Sequence, residues 1–251
     1  MLCLDNRGMS SATSLHSPLH PSTHLTSCAH KLLAFDTSTE TMFIAVTKGQ
    51  QTWQHTAEGG AKTSAALIPA IMALLKEADL TLQQLDAIVF GRGPGSFTGL
   101  RTACSVAQGL AFGAGNITVL PVNTLLAVAE EARVTTGVTQ IQAVLDARMG
   151  EVYAASYVYK EGEEAVWDAI SDIQLCKPDN LRLETDFHLA GNCLDDANRI
   201  NALPTATAML RLAPAMLAAG LGVPADQALP LYVRDKVAQT TAERAALKSA
   251  V

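Results

Sequence analysis

The sequence predicts an α/β protein built from two similar subdomains, each with a mixed sheet. Three observations carry this. Short apolar runs alternate with longer segments of helical period. The first strands return on themselves in hairpins, whereas the later ones are separated by helices. Finally, the opening pattern "LLAFDTSTETMFIAV" recurs as "AVLDARMGEVYAASY", so that an apolar strand ends in an aspartate at 36 and again at 146.

The elements follow in order. "SSATSLHSPLHPSTHLTSCAH" has no apolar period and holds His16, His20, His24 and His30, so residues 1–30 read as a disordered extension. It lacks the unbroken apolar core of a signal peptide. "LLAFDT" is a buried strand, "TMFIAVTK" its hairpin partner and "QTWQHTA" a third strand. "KTSAALIPAIMALLKEADL" is a helix. "DAIVFGRG" is a strand that runs into a glycine-rich loop, and "FTGLRTACSVAQGLAFGAG" is a second helix closed by glycines. "ITVLPV" and "TLLAVAEEAR" are a further strand and helix. The second half opens at "AVLDAR", continues through "AVWDAISDIQL", the strand "FHLAGN" and a helix around "TATAMLRLAPAMLAAG", and closes on "LPLYVRD". The expected boundaries are 31–139 and 140–236, with a tail at 237–251.

The bulk numbers exclude several classes. The chain has 251 residues, 49% hydrophobic and 17% charged, with a formal charge of −6, enough for a sizeable core. No run of Lys and Arg offers the basic face that an unaided RNA or DNA binder needs. Five widely spaced cysteines form no metal-ligand or disulfide framework, which points to reduced thiols in a cytoplasmic protein. The most apolar stretch, "ATAMLRLAPAMLAAGLGV", is interrupted by Arg211 and Pro214 and is short for a bilayer.

Two halves that each open with a strand, an aspartate and a hairpin point to the actin-like ATPase (ASKHA, RNase H-like) arrangement. There the two hairpin turns hold ATP phosphates through backbone N–H groups, and the aspartates hold magnesium and water. The turns of this chain are degraded for that purpose. Asp36, Thr37 and Ser38 place a serine where glycine lets the backbone meet phosphate, and Asp146 is followed by Ala147 and the bulky Arg148. "LAGNC" offers only Gly191 where paired glycines meet adenosine. The loop "GRGPGSFTGLRT" fits neither phosphate signature. No Lys follows its glycines, Ser96 stands at the last glycine of GxGxxG, and the next acidic residue is Glu130. Two roles stay open for it, shaping a turn so that a helix packs closely or binding phosphate directly. Ser96 is not in a GxSxG elbow, His55 and His188 stand alone, and Glu130 and Glu131 read as solvated at a helix end. No catalytic residue and no metal ligand set is assigned.

The helix at 62–78 has eleven residues, 65 to 75, without one polar side chain. A helix apolar all round is buried on both sides. One side meets the sheet, and the other is either covered within the subunit or presented to a partner. The expected contact surface is Leu67, Ile68, Ile71, Leu74 and Leu75 of this helix. From the next it takes Gly99, Leu100, Ala103 and Ala107, where small residues permit close approach.

"LLAFDTSTE", "GRGPGSFTGLRTACSVAQGLAFG", "VLPVNTLLAVAEEA", "LDARMGEVYAASY" and "PLYVRDKVA" together resemble the bacterial TsaB (YeaZ) family, from about Lys31 to Lys236. The resemblance implies an actin-like fold without an active site. It also implies a non-catalytic subunit that supports a TsaD-like catalytic subunit, with a TsaE-like ATPase, in threonylcarbamoylation of the tRNA adenosine beside the anticodon. ATP and metal are then expected on the partners and not on this chain alone. tRNA is met only through the complex, the chain pairs with itself through the same helices, and no membrane is involved. The metal-binding HxxxH pair of TsaD is missing here. One departure is Thr63-Ser64, where the family often has His-Ser. An ATP-dependent phosphotransferase using Asp36 and Asp146, or a peptidase-like enzyme, is the alternative.

Overall fold

The computed structural model describes residues 30–234, apart from 163–165 and 195. Five strands form the first sheet: β1 (Lys31–Asp36), β2 (Thr41–Lys48), β3 (Gln51–Glu58), β4 (Ala87–Gly93) and β5 (Thr118–Asn123), in the order β3-β2-β1-β4-β5. β1 lies antiparallel to β2 and parallel to β4. The second sheet repeats this plan. β6 (Gln140–Arg148) lies antiparallel to β7 (Glu151–Lys160) and parallel to β10 (His188–Gly191). With β8 (Val166–Ala169) and β11 (Ile200–Asn201) the order is β11-β10-β6-β7-β8, and β9 (Gln174–Cys176) adds to β7. The internal repeat read from Asp36 and Asp146 is therefore a repeat of sheet topology. The halves differ in their helices. α1 (Thr63–Glu77) and α2 (Phe97–Gly113) flank β4 in the first half. Among the described residues, β9 and extended chain stand in the corresponding stretch of the second.

The core has layers on both sides of the first sheet. Leu33, Phe35, Ile44, Ile88 and Phe90 point toward α1 and α2, while Leu32, Ala34, Ala45 and Val89 point the other way, as the alternation of a strand requires. That second face is covered by α4 (Ala206–Ala218), and α3 (Thr124–Thr136) covers the second sheet. Local signals set these helices. Asn123 and Thr205 accept hydrogen bonds from Leu125 and Ala208 as N-caps, and Gly137 closes α3 at φ 80°. The strands divide at residue 140, but the helices do not. α3 belongs to the first half by sequence and packs on β6, whereas α4 comes from the second half and packs on β1 and β2.

Glu130 corrects the sequence reading. It is 2% exposed and not solvated. Its carboxylate accepts from Arg133 Nε and Nη2, from Arg211 Nε and from Trp167 Nε1, each at 3.0 Å. Glu131 Oε2 accepts from Arg211 Nη2 at 2.7 Å and from Thr205 Oγ1 at 2.6 Å. The acid lies inside because α3 and α4 meet edge to edge there, and cations from both helices neutralise it. Truncation would strand partly buried guanidinium groups. Glu130→Ala is expected to lower the unfolding free energy by about 3 kcal/mol, read as a lower urea midpoint with an unchanged slope.

Candidate functional site

The first hairpin turn is closed on itself and capped by the glycine loop. Asp36 Oδ1 accepts from Ser38 N at 2.9 Å and Ser38 Oγ at 2.6 Å. Its other oxygen, Oδ2, is buried and has no hydrogen-bond partner among the described residues. Burial pushes the Asp36 carboxyl up to about 7, against the two Ser38 hydrogen bonds, which pull it down. The loop lies directly on this turn. Ser96 N donates to Ser38 O at 2.8 Å, and Thr37 Oγ1 donates to Gly99 O at 2.8 Å. A Cβ at Gly91 would stand 1.8 Å from Asp36 Oδ2, one at Gly95 2.5 Å from Ser38 Cβ, and one at Gly99 1.8 Å from Thr37 O. Three glycines thus serve close approach, the packing role expected of the loop.

The second turn faces the first across a cleft of about 280 Å³. Arg148 and Met149 both adopt positive φ there, at 64° and 58°. Arg148 N donates to Asp146 Oδ1 at 2.8 Å, and its guanidinium pairs with Asp146 Oδ2 at 3.3 Å and with Glu40 of the first turn. The bulky residue that degrades this turn therefore bridges the cleft. Residues 231–234 run across the same cleft. Leu231 N donates to Arg92 O at 2.7 Å in the first half. In the second, Arg234 Nη2 donates to Ala147 O at 3.1 Å and pairs with Glu151 at 2.6 Å.

The expected partner surface needs correction. Leu67, Ile71, Leu74 and Leu75 are 4% exposed or less and belong to the core under α1. Gly99, Leu100, Ala103 and Ala107 are likewise buried. The small Gly99, Ala103 and Ala107 bring α2 down onto β4 and the first turn, and Leu100 is buried with them. Of the nine residues, Ile68 alone lies outside, at 44% exposed. The opposite side of α1 is nonetheless apolar. Ala65, Ile68, Pro69, Met72 and Ala73 are all exposed, with Met72 at 46%. The sequence held a signal for this division. The i, i+4 row through Ile68 and Met72 begins at Ser64 and ends at Lys76, whereas the row of bulky Leu and Ile stays apolar to Ala78. α2 presents Thr98, Arg101 and Ser105 beside it, and a shallow groove lined by Ser64, Thr102 and Val106 separates the helices.

Comparison with known proteins places this geometry. Residues 44–247 match the family model described as "TsaD: tRNA N6-adenosine threonylcarbamoyltransferase". The chain is 36% identical over 225 residues to the "tRNA threonylcarbamoyladenosine biosynthesis protein TsaB" of Haemophilus influenzae, covering 82% of this chain and 94% of that protein. With the protein of the same name from Escherichia coli it shares 31%, over 83% and 96%. This chain belongs to the TsaB (YeaZ) family of tRNA threonylcarbamoyladenosine biosynthesis proteins. The solved structure of YeaZ from Pseudomonas aeruginosa aligns with a TM-score of 0.73 at 35% identity, covering 81% of this chain and 100% of that one. The two-subdomain fold is the actin-like one that the repeat predicted.

That fold implies a magnesium nucleotide between the two turns, and the residues present do not fit one. Asp36 has one oxygen occupied by Ser38 and the other turned under Gly91. Arg148 N is bonded within its own turn, and the guanidinium spans the gap that phosphates would need. Sequence reasoning missed the crossing at 231–234 and the Glu40–Arg148 pair, because both join residues far apart in the chain.

Two outcomes follow from the first turn. Gly99→Ala forces a methyl into Thr37 O and is expected to cost about 2 kcal/mol, measured by urea unfolding. Asp36 holds its proton in the native state up to about 7 and loses it near 3.8 when unfolded. Native protein therefore binds more protons between these values, and stability from this group is full below pH 4 and lost as pH rises to 7. The unfolding free energy of wild type minus that of Asp36→Asn should fall by roughly 4 kcal/mol between pH 4 and pH 8. A flat difference would show Asp36 to be ionised throughout.

Proposed function

We propose that this chain is a non-catalytic subunit in tRNA threonylcarbamoyladenosine synthesis. It pairs through the outer face of α1 and the adjoining face of α2 with a TsaD-like catalytic subunit, and a TsaE-like ATPase joins the pair. tRNA is reached only through that complex, in the cytoplasm, and in the absence of the catalytic subunit the same face pairs two copies of this chain. The observation that carries the reading is the apolar outer side of α1. Ala65, Ile68, Pro69, Met72 and Ala73 form a continuous exposed row on a helix whose other side already fills the core. Such a face is costly in water and suits a protein contact. The closed first turn and the Arg148 bridge support a chain that binds no nucleotide or metal by itself. In the described residues, no group of three or more His, Cys, Asp or Glu side chains is arranged to hold a metal, and no helix is long and apolar enough to cross a membrane.

The test is reconstitution. The purified chain alone should transfer no threonylcarbamoyl group, and should restore transfer to TsaD supplied with TsaE, threonylcarbamoyl adenylate and tRNA. Full transfer by TsaD without it would sink the subunit reading. Calorimetry with Mg-ATP on the isolated chain is expected to show no micromolar binding; binding abolished by Asp36→Asn would favour the phosphotransferase alternative. The double variant Ile68→Glu, Met72→Glu should keep its circular dichroism, become monomeric by light scattering and fail to retain TsaD. Ile71→Glu, which places a charge in the core, should unfold instead.

A further inference from the structure

Arg101 is the residue at which the α1–α2 groove and the cleft between the sheets touch. It lines the groove beside Ser64 and Thr102. Its guanidinium carbon sits 3.9 Å from the centroid of the Phe97 ring, and its Nε donates to Tyr232 Oη at 3.1 Å. Tyr232 in turn stacks on Phe97 with ring centroids 5.2 Å apart. Tyr232 belongs to residues 231–234, which line the cleft and are fixed at Arg92 on one side and at Ala147 and Glu151 on the other. Phe97 and Thr98, in the first turn of α2, line both groove and cleft.

We propose that residues 231–234 are a strap held over the cleft by Arg101, and that a protein partner offering a carboxylate to Arg101 from the groove side releases it. Arg101 meets the strap through a neutral phenol oxygen and, 6.0 Å from its centroid, the Tyr232 ring. A carboxylate bonds a guanidinium about twice as strongly as a neutral acceptor, and can do so with two parallel bonds. A carboxylate that takes the Nε–Nη edge of the guanidinium removes the donor from Tyr232 Oη. What remains is the tilted contact of Tyr232 on Phe97, the Leu231–Arg92 bond and the packing of Val233 against the second-half core. The far end stays tied through Arg234, so the strap swings and does not detach, and the Ser38, Ser96 and Asn192 side of the cleft becomes accessible. Partner docking on one surface is thereby coupled to access at another. This release step rests on the assignment of the α1–α2 face to a partner; the latch itself does not.

Amide hydrogen exchange on the full chain tests both parts. Arg101→Ala and Tyr232→Phe alter exposed side chains, so the urea midpoint should stay at the wild-type value. Exchange at the Leu231 amide should rise about tenfold in each. Wild-type exchange rates at Leu231 in both variants would overturn the latch. The second arm adds the catalytic subunit TsaD, with binding followed separately by light scattering. At TsaD concentrations that saturate both proteins, complex formation should speed Leu231 exchange in wild type and add nothing further in Arg101→Ala. A complex that forms while Leu231 exchanges as before overturns release by the partner and leaves the subunit assignment standing. Failure to form any complex overturns that assignment and the release step together, while the variants still decide the latch.

Discussion

Everything at the cleft depends on how closely the loop at 91–99 lies on the turn at 36–38. Three positions in nine residues leave no room for a Cβ, because the turn's own atoms occupy that space. This contact fixes where β4 ends, where α2 begins and at what height α2 crosses the sheet. The stripe Gly99, Ala103, Ala107 and Ala111 then continues the same closeness along the helix. Asp36 is sealed by it, which explains why its carboxyl titrates so far above an ordinary aspartate. In an actin-like ATPase the same turn must stay open to phosphate. Here the glycine loop lies against that turn, and its glycines serve the close approach.

Much of the fold was legible because it rests on local signals. β1, β2 and β4 are short apolar runs bounded by turn residues, and the strand-aspartate-hairpin repeat proved to be a repeat of sheet order. The site was legible only in part. Ser38 and Arg148 could be seen to replace glycine, but not that Arg148 reaches Glu40. That pair spans residues distant in sequence and depends on how the two sheets face one another. The faces of α1 were mistaken for a similar reason. Eleven apolar residues in a row carry no amphipathic signal of their own, and only the polar ends of the Ser64–Ile68–Met72–Lys76 row reveal which side is outside. Glu130 was misread because nothing near it in the chain, apart from Arg133, announces that Arg211 and Trp167 will converge on it.

Glu130 and the strap act on the same problem from opposite ends. α3 and α4 lie between the sheets, and each packs on the sheet of the other half. The buried carboxylate ties them at that joint through cations from both helices. At the cleft mouth, Glu40–Arg148 and the contacts of Arg234 tie the turns. The Glu130 carboxylate is buried, while Arg133 and Arg211 beside it remain partly exposed. At the mouth the Glu40–Arg148 pair is exposed, so it is screened and weak, whereas Arg234 and Glu151 are partly buried.

The helices make the two halves unequal as binding surfaces. Both sheets have the same strand order, yet only the first carries α1 and α2 on its outer side. The corresponding side of the second sheet is covered by extended chain over a small cluster of Val144, Ala154 and Leu189, with partly buried Leu181, Cys193 and Leu194 packed against it. A helix can bury one face in the core and offer the other, since its two sides are independent rows of residues. The extended chain of the second half also leaves large apolar side chains outside, Ile170 and Leu183 among them, but not as a helical row. The first half thus keeps a continuous helical face exposed where the second keeps extended chain. One half presents a helical face, the other supplies the turn and the Arg234 anchor that hold the cleft shut behind it.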